Sequence, residues 1–197
     1  MKIAIAFLLL VHTVYTAKPL TRQLCNSAVN YVRSVHADKS QVANMNELLY
    51  NKNLEKRIYE QLAHTNGCPD PSMVSDDGFH VHLNVRADDQ DMLLRLSSGA
   101  ESSMMACVQT RCLETGEEVV SVITDSSDTY PINGKPGTQC SAGFVNSEGL
   151  CARRQYARKG KIWKDAIDCF PGRPTDQKDW WKKPDSEVDK LLILFGK

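Results

Sequence analysis

Four of the seven cysteines in this 197-residue chain fall within residues 105–151, and this stretch constrains the fold more than any other. Cys107 and Cys112 flank a half-apolar run, and their spacing places them on opposite faces of a strand if the run is extended. Residues 118–124 follow as a run rich in β-branched side chains, long enough to cross a sheet. The pattern predicts a pair of strands.

The segment that follows, residues 126–143, has no apolar period and is rich in serine, proline and glycine. Such a segment cannot bury enough apolar surface to hold itself in place, so a loop is predicted. Cys140 and Cys151 are taken to lie at the two ends of this loop.

The N-terminal half carries helical patterns. Apolar residues recur at helical spacing over residues 21–37, with Cys25 close to the apolar face. Asn51 is a suitable N-cap for a second helix, which Gly67 and Pro69 end around Cys68.

The clearest strand pattern lies over residues 79–86, where apolar side chains alternate with polar ones that include His80 and His82. This alternation predicts one buried face and one solvent face. Residues 88–96 predict one or two helical turns. The order helix, helix, strand, short helix and two strands indicates the α+β class, with helices packed on an antiparallel sheet.

Residues 1–17 have the layout of a secretory signal peptide, and we place its cleavage between Thr16 and Lys18. The apolar run is too short to span a bilayer, so a secreted, extracellular protein without a membrane span is expected. Secretion makes disulfides the default role of the cysteines. With 24 basic and 24 acidic side chains, the chain offers no global reason to expect nucleic acid as a partner.

Several motifs together resemble one family. They are MAC at 105–107, GTQCS at 137–141, GLC at 149–151 and NYVR at 30–33. These motifs, with a similar segment at 45–62, resemble the CAP superfamily, also called SCP or TAPS, and nematode members look most similar. Two departures stand out, since Val29 replaces a family histidine and Ser121 replaces the cysteine of the second strand.

The resemblance implies a three-layer αβα sandwich over residues 20–151, shortened relative to the family pattern. Residues 152–197 match no module and form a basic and tryptophan-containing extension. The resemblance also implies that Cys68 bridges Cys112 and that Cys140 bridges Cys151. Family members that bind a divalent cation use two histidines and two glutamates. The motifs that carry them are missing here, so neither a catalytic or metal site nor a cofactor is expected.

Cys25, Cys107 and Cys169 are left over. A bond from Cys169 to Cys25 would tie the extension to the first helix, and a bond from Cys169 to Cys107 would replace the missing strand partner. We favour Cys25 with Cys169. The remaining cysteine is then expected to be a buried thiol rather than an intermolecular bridge.

Metal binding at His80 and His82 and nucleophilic catalysis by Cys107 are alternatives to these structural roles. His80 and His82 could bind a metal if Asp76, Asp77 or His64 completed the site, against the simpler interpretation of two exposed strand residues. Cys107 could be a nucleophile, although a buried strand cysteine in an oxidising compartment is more often structural.

The leading hypothesis is a secreted, non-catalytic and monomeric CAP-type protein that binds an extracellular protein, lipid or glycan. One alternative is a metal-dependent extracellular hydrolase with a rebuilt centre near His80 and His82. Another is capture of a polyanion by the basic segment at 153–164.

Overall fold

The structure is a computed structural model that describes residues 20–157. The predicted signal peptide and most of the extension, including Cys169, lie outside the described residues. The helices are α1 (Arg22–Ser40), α2 (Glu55–Ala63) and α3 (Gln90–Ser97). The strands are β1 (Leu49–Tyr50), β2 (Ser72–Asp76), β3 (Phe79–Leu83), β4 (Met104–Arg111), β5 (Glu118–Asp125), β6 (Phe144–Ser147) and β7 (Leu150–Arg153).

The first five strands form one sheet in the order β1-β4-β5-β3-β2, and β6 and β7 form a separate hairpin. β4 and β5 run antiparallel in a register that places Met105 opposite Thr124 and Arg111 opposite Glu118. The predicted strand pair is therefore confirmed. The short β1 pairs parallel to β4 at the far edge.

Local signals explain where the helices begin. The hydroxyl of Thr21 accepts a hydrogen bond from the Leu24 N–H at the start of α1, and Asp89 does the same for Met92 at α3. Asn51 caps a short 3₁₀ turn, Lys52–Leu54, that leads into α2. The three helices predicted from apolar periodicity are all present.

Strand alternation divides the core into two layers. Met105 and Cys107 pack with residues of α1 and α3, whereas Ala106 and Val108, which alternate with them, pack against α2. The sheet is thus covered by helices on both faces. This is the predicted three-layer αβα sandwich of the α+β class.

Three disulfides form within the described residues, and two of them are the pairs that the resemblance implies. Cys68 bonds to Cys112 and Cys140 bonds to Cys151. The third joins Cys25 to Cys107 across 82 residues. In the chain-entropy model these closures stabilise the fold by roughly 3 to 4.5 kcal/mol each.

The expected bond between Cys25 and Cys169 is therefore wrong. Cys25 lies on the inner face of α1, and Cys107 lies on the face of β4 that α1 covers, so their Cα atoms come within 6.6 Å. Cys112 instead reaches Cys68, just beyond α2, with a Cα separation of 4.7 Å. Cys107 within β4 and Cys112 just after it thus tie the sheet to opposite helical layers.

The guanidinium of Arg33 is fully buried beneath α1 and donates to four backbone carbonyls. Its Nε atom lies 3.0 Å from the Asn46 oxygen, and its two Nη atoms lie 3.1 Å from the oxygens of Ser98, Gly99 and Ala100. Burial lowers the pKa of Arg33 to about 10, so the side chain remains charged at neutral pH. One side chain therefore joins α1, the segment before β1 and the loop after α3.

Asn30, one turn earlier on α1, fixes the same segment. Its side-chain amide donates to the Leu48 oxygen at 2.9 Å, and its oxygen accepts from the Leu48 N–H at 2.7 Å. On the other side of the segment, the Glu47 N–H donates to the Cys151 oxygen, and the Cys151 N–H donates to the Met45 oxygen. The segment is held between α1 and β7.

Replacing Arg33 with Met should lower the free energy of unfolding by about 3 kcal/mol or more, because several buried carbonyls lose their donor. Arg33→Lys should fall between wild type and Arg33→Met, since an ammonium keeps the charge but cannot reach all four acceptors. The matched control is Arg111→Met at an exposed position, with an expected change within about 0.5 kcal/mol. Urea titrations of the three variants measure this, and equal losses at positions 33 and 111 would contradict it.

Candidate functional site

His80 and His82 lie on the sheet face that α1 and α3 cover. In the β3–β5 register His80 is opposite Thr124 and His82 is opposite Val122. Met73, the β2 neighbour of His82, borders one cavity together with Met92 and Arg95 of α3, so α3 lies above this part of the sheet. His82 is only 1% exposed.

The prediction that His82 lies on a solvent face is therefore wrong. β3 is an inner strand and both of its faces are covered, which alternation along one strand cannot reveal. His80 is partly exposed, and its Nδ1 atom lies 3.1 Å from the hydroxyl of Ser75 on β2. Within residues 20–157 the Nδ1 atom of His82 has no hydrogen-bond partner.

The side chains proposed to complete a metal site lie elsewhere. Asp76 and Asp77 form ion pairs with Arg57 of α2 at 3.6 and 3.0 Å. The Arg57 guanidinium also stacks 4.7 Å from the centre of the Phe79 ring, which places this group on the α2 face of the sheet. His64 caps the C-terminal end of α2. The sheet thus separates these groups from the two histidines.

No group of three or more His, Cys, Asp or Glu side chains in the described range is arranged to hold a metal ion. The sulfur of Cys107 is bonded to Cys25, so the hypothesis of a Cys107 nucleophile is wrong. The part of the chain that the structure describes also contains no helix of the length and apolar character needed to cross a membrane.

The segment predicted as a loop has a fixed course. We call residues 129–140 the pinned loop, because backbone groups of the segment 41–44 hold it. Ala43 N–H donates to the Ile132 oxygen at 2.7 Å, and the Gln139 N–H donates to the Ala43 oxygen at 3.1 Å. The Asn44 side chain accepts from the Ile132 N–H at 2.8 Å. The disulfide at Cys140 fixes the C-terminal end.

The pinned loop holds two large apolar side chains in solvent. Tyr130 is 85% exposed and Ile132 is 41% exposed. Pro131 between them is also exposed. Because hydrogen bonds fix the backbone on either side, these side chains are presented from a defined position rather than from a free loop.

The hairpin of β6 and β7 packs closely against the pinned loop at Gly137. A Cβ atom at this position would lie 2.5 Å from the Asn146 side chain, and the backbone φ of +71° also favours glycine. The fit explains why the GTQCS motif needs its first residue here.

A groove of about 900 Å³ runs beside the pinned loop, and we call it the α1 groove. Both apolar and polar side chains border it, including two acidic and two basic groups. Its walls are formed by Tyr31, Ser34, Val35, Asp38, Lys39, Gln41, Lys135, Pro136, Asn146, Glu148 and Gly149. Sequence reasoning missed this groove because its walls come from three distant segments without a shared motif.

The basic segment is described only at its start. Arg153 ends β7, and its guanidinium lies 5.9 Å from the centre of the Phe144 ring. Arg154 is exposed beside it. The other basic residues of 153–164 lie outside the described residues, and the polyanion hypothesis remains a prediction.

Burial, His80 and Arg95 lower the pKa of His82 to about 4 from an ordinary value of 6.5. Between these pH values the unfolded chain binds more protons than the folded one, so stability should be full above pH 6.5 and fall as the pH drops towards 4. His82 should account for roughly 2 kcal/mol of the fall in the free energy of unfolding between pH 7 and pH 4.5. In His82→Gln this part of the fall should be absent. Unfolding titrations at pH 7 and 4.5 test this.

His64→Gln is the matched control, because it makes the same replacement at an exposed position. His36 contributes in the same direction in both variants, since burial and Arg33 lower its pKa to about 4. An unchanged pH dependence in His82→Gln would contradict the prediction.

No family model matches the chain, and no curated protein sequence matches it. Among solved structures, hookworm platelet inhibitor is similar over 68% of this chain and 93% of its own, with 14% identity and a TM-score of 0.48. Venom allergen-like protein 4 of Schistosoma mansoni is similar over 59% of this chain and 97% of its own, with 14% identity and a TM-score of 0.39. Both are CAP-family proteins.

Proposed function

We propose that this chain is a secreted, divergent CAP-type domain that binds an extracellular protein and does not act as an enzyme. The motifs around Arg33, Cys107, Cys140 and Cys151 support the family, together with the three-layer sandwich in which they lie. Disulfides persist in oxidising compartments, so the three that close this small domain support secretion.

The observation that carries the binding role is the pinned loop with its exposed Tyr130 and Ile132. A partner that binds this loop has little backbone entropy to remove, because hydrogen bonds already fix its conformation. Tyrosine is enriched among the residues that dominate binding energy at interfaces. The α1 groove adjoins the loop and would contact the same partner with its mixed polar and apolar walls.

The distribution of titratable groups supports a role without catalysis. Catalysis by acid and base groups requires them to converge in one cleft. Here Asp76 and Asp77 bind Arg57, the buried Nδ1 atom of His82 has no hydrogen-bond partner in the described region, and Cys107 is in a disulfide. Within residues 20–157 this arrangement supports recognition rather than catalysis.

Substituting Tyr130 and Ile132 with alanine should weaken partner binding at least about tenfold, since each removes an apolar anchor from a preorganised loop. The mature protein is immobilised, and proteins captured from extracellular fluid are quantified by mass spectrometry. Any captured protein is then titrated against each variant.

Leu113→Ala is the matched control, because Leu113 is 86% exposed at the β4–β5 turn, away from the loop. The control should bind as wild type does. If wild type, the double variant and Leu113→Ala all bind the partner equally, the binding surface lies elsewhere. The unfolding midpoint of the double variant shows whether its structure is intact.

The secretory role has its own test. Residues 1–17 have the layout of a signal peptide, so the full chain expressed in a eukaryotic cell should appear in the medium. Cleavage between Thr16 and Lys18 should leave Ala17 or Lys18 as its first residue. The form lacking residues 1–17 should remain in the cell. N-terminal sequencing of the secreted product measures this, and retention of both forms would contradict secretion.

A further inference from the structure

β2 is the last strand of the five-stranded sheet, and one of its edges is open in the described structure. It pairs with β3 over its whole length, from Ser72 opposite Leu83 to Asp76 opposite Phe79. No other strand within residues 20–157 pairs with its outer edge. The edge is regular, because the register with β3 contains no bulge.

The turn between β2 and β3 fixes which groups point outwards. Asp77 and Gly78 have φ values of 42° and 76°, as in the two-residue turn that favours Asp-Gly. In such a hairpin the residues next to the turn exchange both hydrogen bonds, and every second pair does the same. Asp76, Val74 and Ser72 therefore bond to β3, whereas Met73 and Ser75 direct their N–H and C=O groups to the open edge.

Within residues 20–157, β2 contains no lysine, proline or bulge, and no further strand pairs with its outer edge. Natural edges carry lysine, proline, a bulge or a covering segment that prevents pairing with another chain. β2 reads SMVSD, with its one charge at the last position and its proline, Pro71, just before the strand. Met73 is 37% exposed at the middle of the edge.

We propose that a second copy of this chain pairs with β2, antiparallel and about a two-fold axis through Val74. The two five-stranded sheets then form one continuous sheet. In this register Met73 faces Ser75 of the second copy, and Ser75 faces Met73 of the second copy, so all the outward N–H and C=O groups of these residues are satisfied.

Neighbouring registers are worse. An axis through Met73 places Pro71 opposite Ser75, and proline has no N–H to donate. An axis through Ser75 places Asp77 opposite Met73, and Asp77 is in the left-handed conformation of the turn. The residues at the two ends of β2 therefore favour the axis through Val74 over its neighbours.

Side chains also fit the axis through Val74. Asp76 lies opposite Ser72 of the second copy, so no like charges face each other, and Val74 lies beside its own counterpart. This interaction changes the expected monomer into a reversible dimer. An interface built on a strand edge is small, and its Kd should lie between about 10 µM and 1 mM.

The test uses the full mature chain in sedimentation equilibrium from about 10 µM to 1 mM. Wild type should dimerise, and Met73→Lys should raise the Kd at least about tenfold, because charge on an edge strand opposes pairing. Leu113→Lys is the matched control, since it places the same charge on another exposed apolar residue. Ser75→Pro is a second variant that removes an outward N–H without removing a bond to β3.

Amide hydrogen exchange identifies the interface. The Met73 and Ser75 amides of wild type should exchange about two- to sevenfold more slowly at 1 mM than at 10 µM, the factor that a Kd in this range gives, whereas the Val74 amide should be protected at both concentrations. A dimer that leaves these two amides unchanged, or that persists in both edge variants, would overturn the proposal. Protection of both amides independent of concentration would also overturn it, because the same chain would then cover the edge.

Discussion

The buried guanidinium of Arg33 is the interaction on which the other parts of the domain depend. Removing a charge from water is costly, and here the cost is offset by hydrogen bonds from one cation to backbone carbonyls. Those carbonyls belong to the segment before β1 and to the loop after α3. The guanidinium has all four of its acceptors only when α1, the segment before β1 and the loop after α3 are in place. The three parts are therefore expected to fold cooperatively.

This arrangement carries through to the proposed binding surface. Arg33 and Asn30 fix the segment that contains Asn46 and Leu48, and two or three residues earlier the same segment holds the pinned loop through Ala43 and Asn44. The exposed tyrosine and isoleucine are thus connected to the core by backbone hydrogen bonds rather than by a flexible linker. A rigid core is what allows a loop without its own apolar interior to keep one conformation.

The sequence predicted the helices and strands better than it predicted which faces of the sheet the helices bury. Periodicity and caps located the helices and the β4–β5 pair, because these signals are local. The pairing of Cys107 with Cys25 was missed, because it depends on how α1 packs on the sheet. Val108, not Cys107, is opposite Ser121, so a cysteine at 121 would have faced the other layer from Cys107. His82 was misplaced for a related reason, because the cover provided by α3 is a tertiary feature.

A sheet covered on both faces limits where this chain can meet other molecules. The interior polar groups of α1 serve the scaffold, as Asn30 and Arg33 show, and the carboxylates of the β2–β3 turn are engaged by Arg57. The surfaces proposed for recognition lie at the margins of this scaffold, at the pinned loop with its adjoining groove and at the open edge of β2. The two surfaces differ in what they require from a partner. The loop offers side chains and needs a shaped pocket, whereas the edge offers backbone groups and needs only a strand in the right register. For that reason a second copy of the chain can satisfy the edge, while the loop remains available to a different protein.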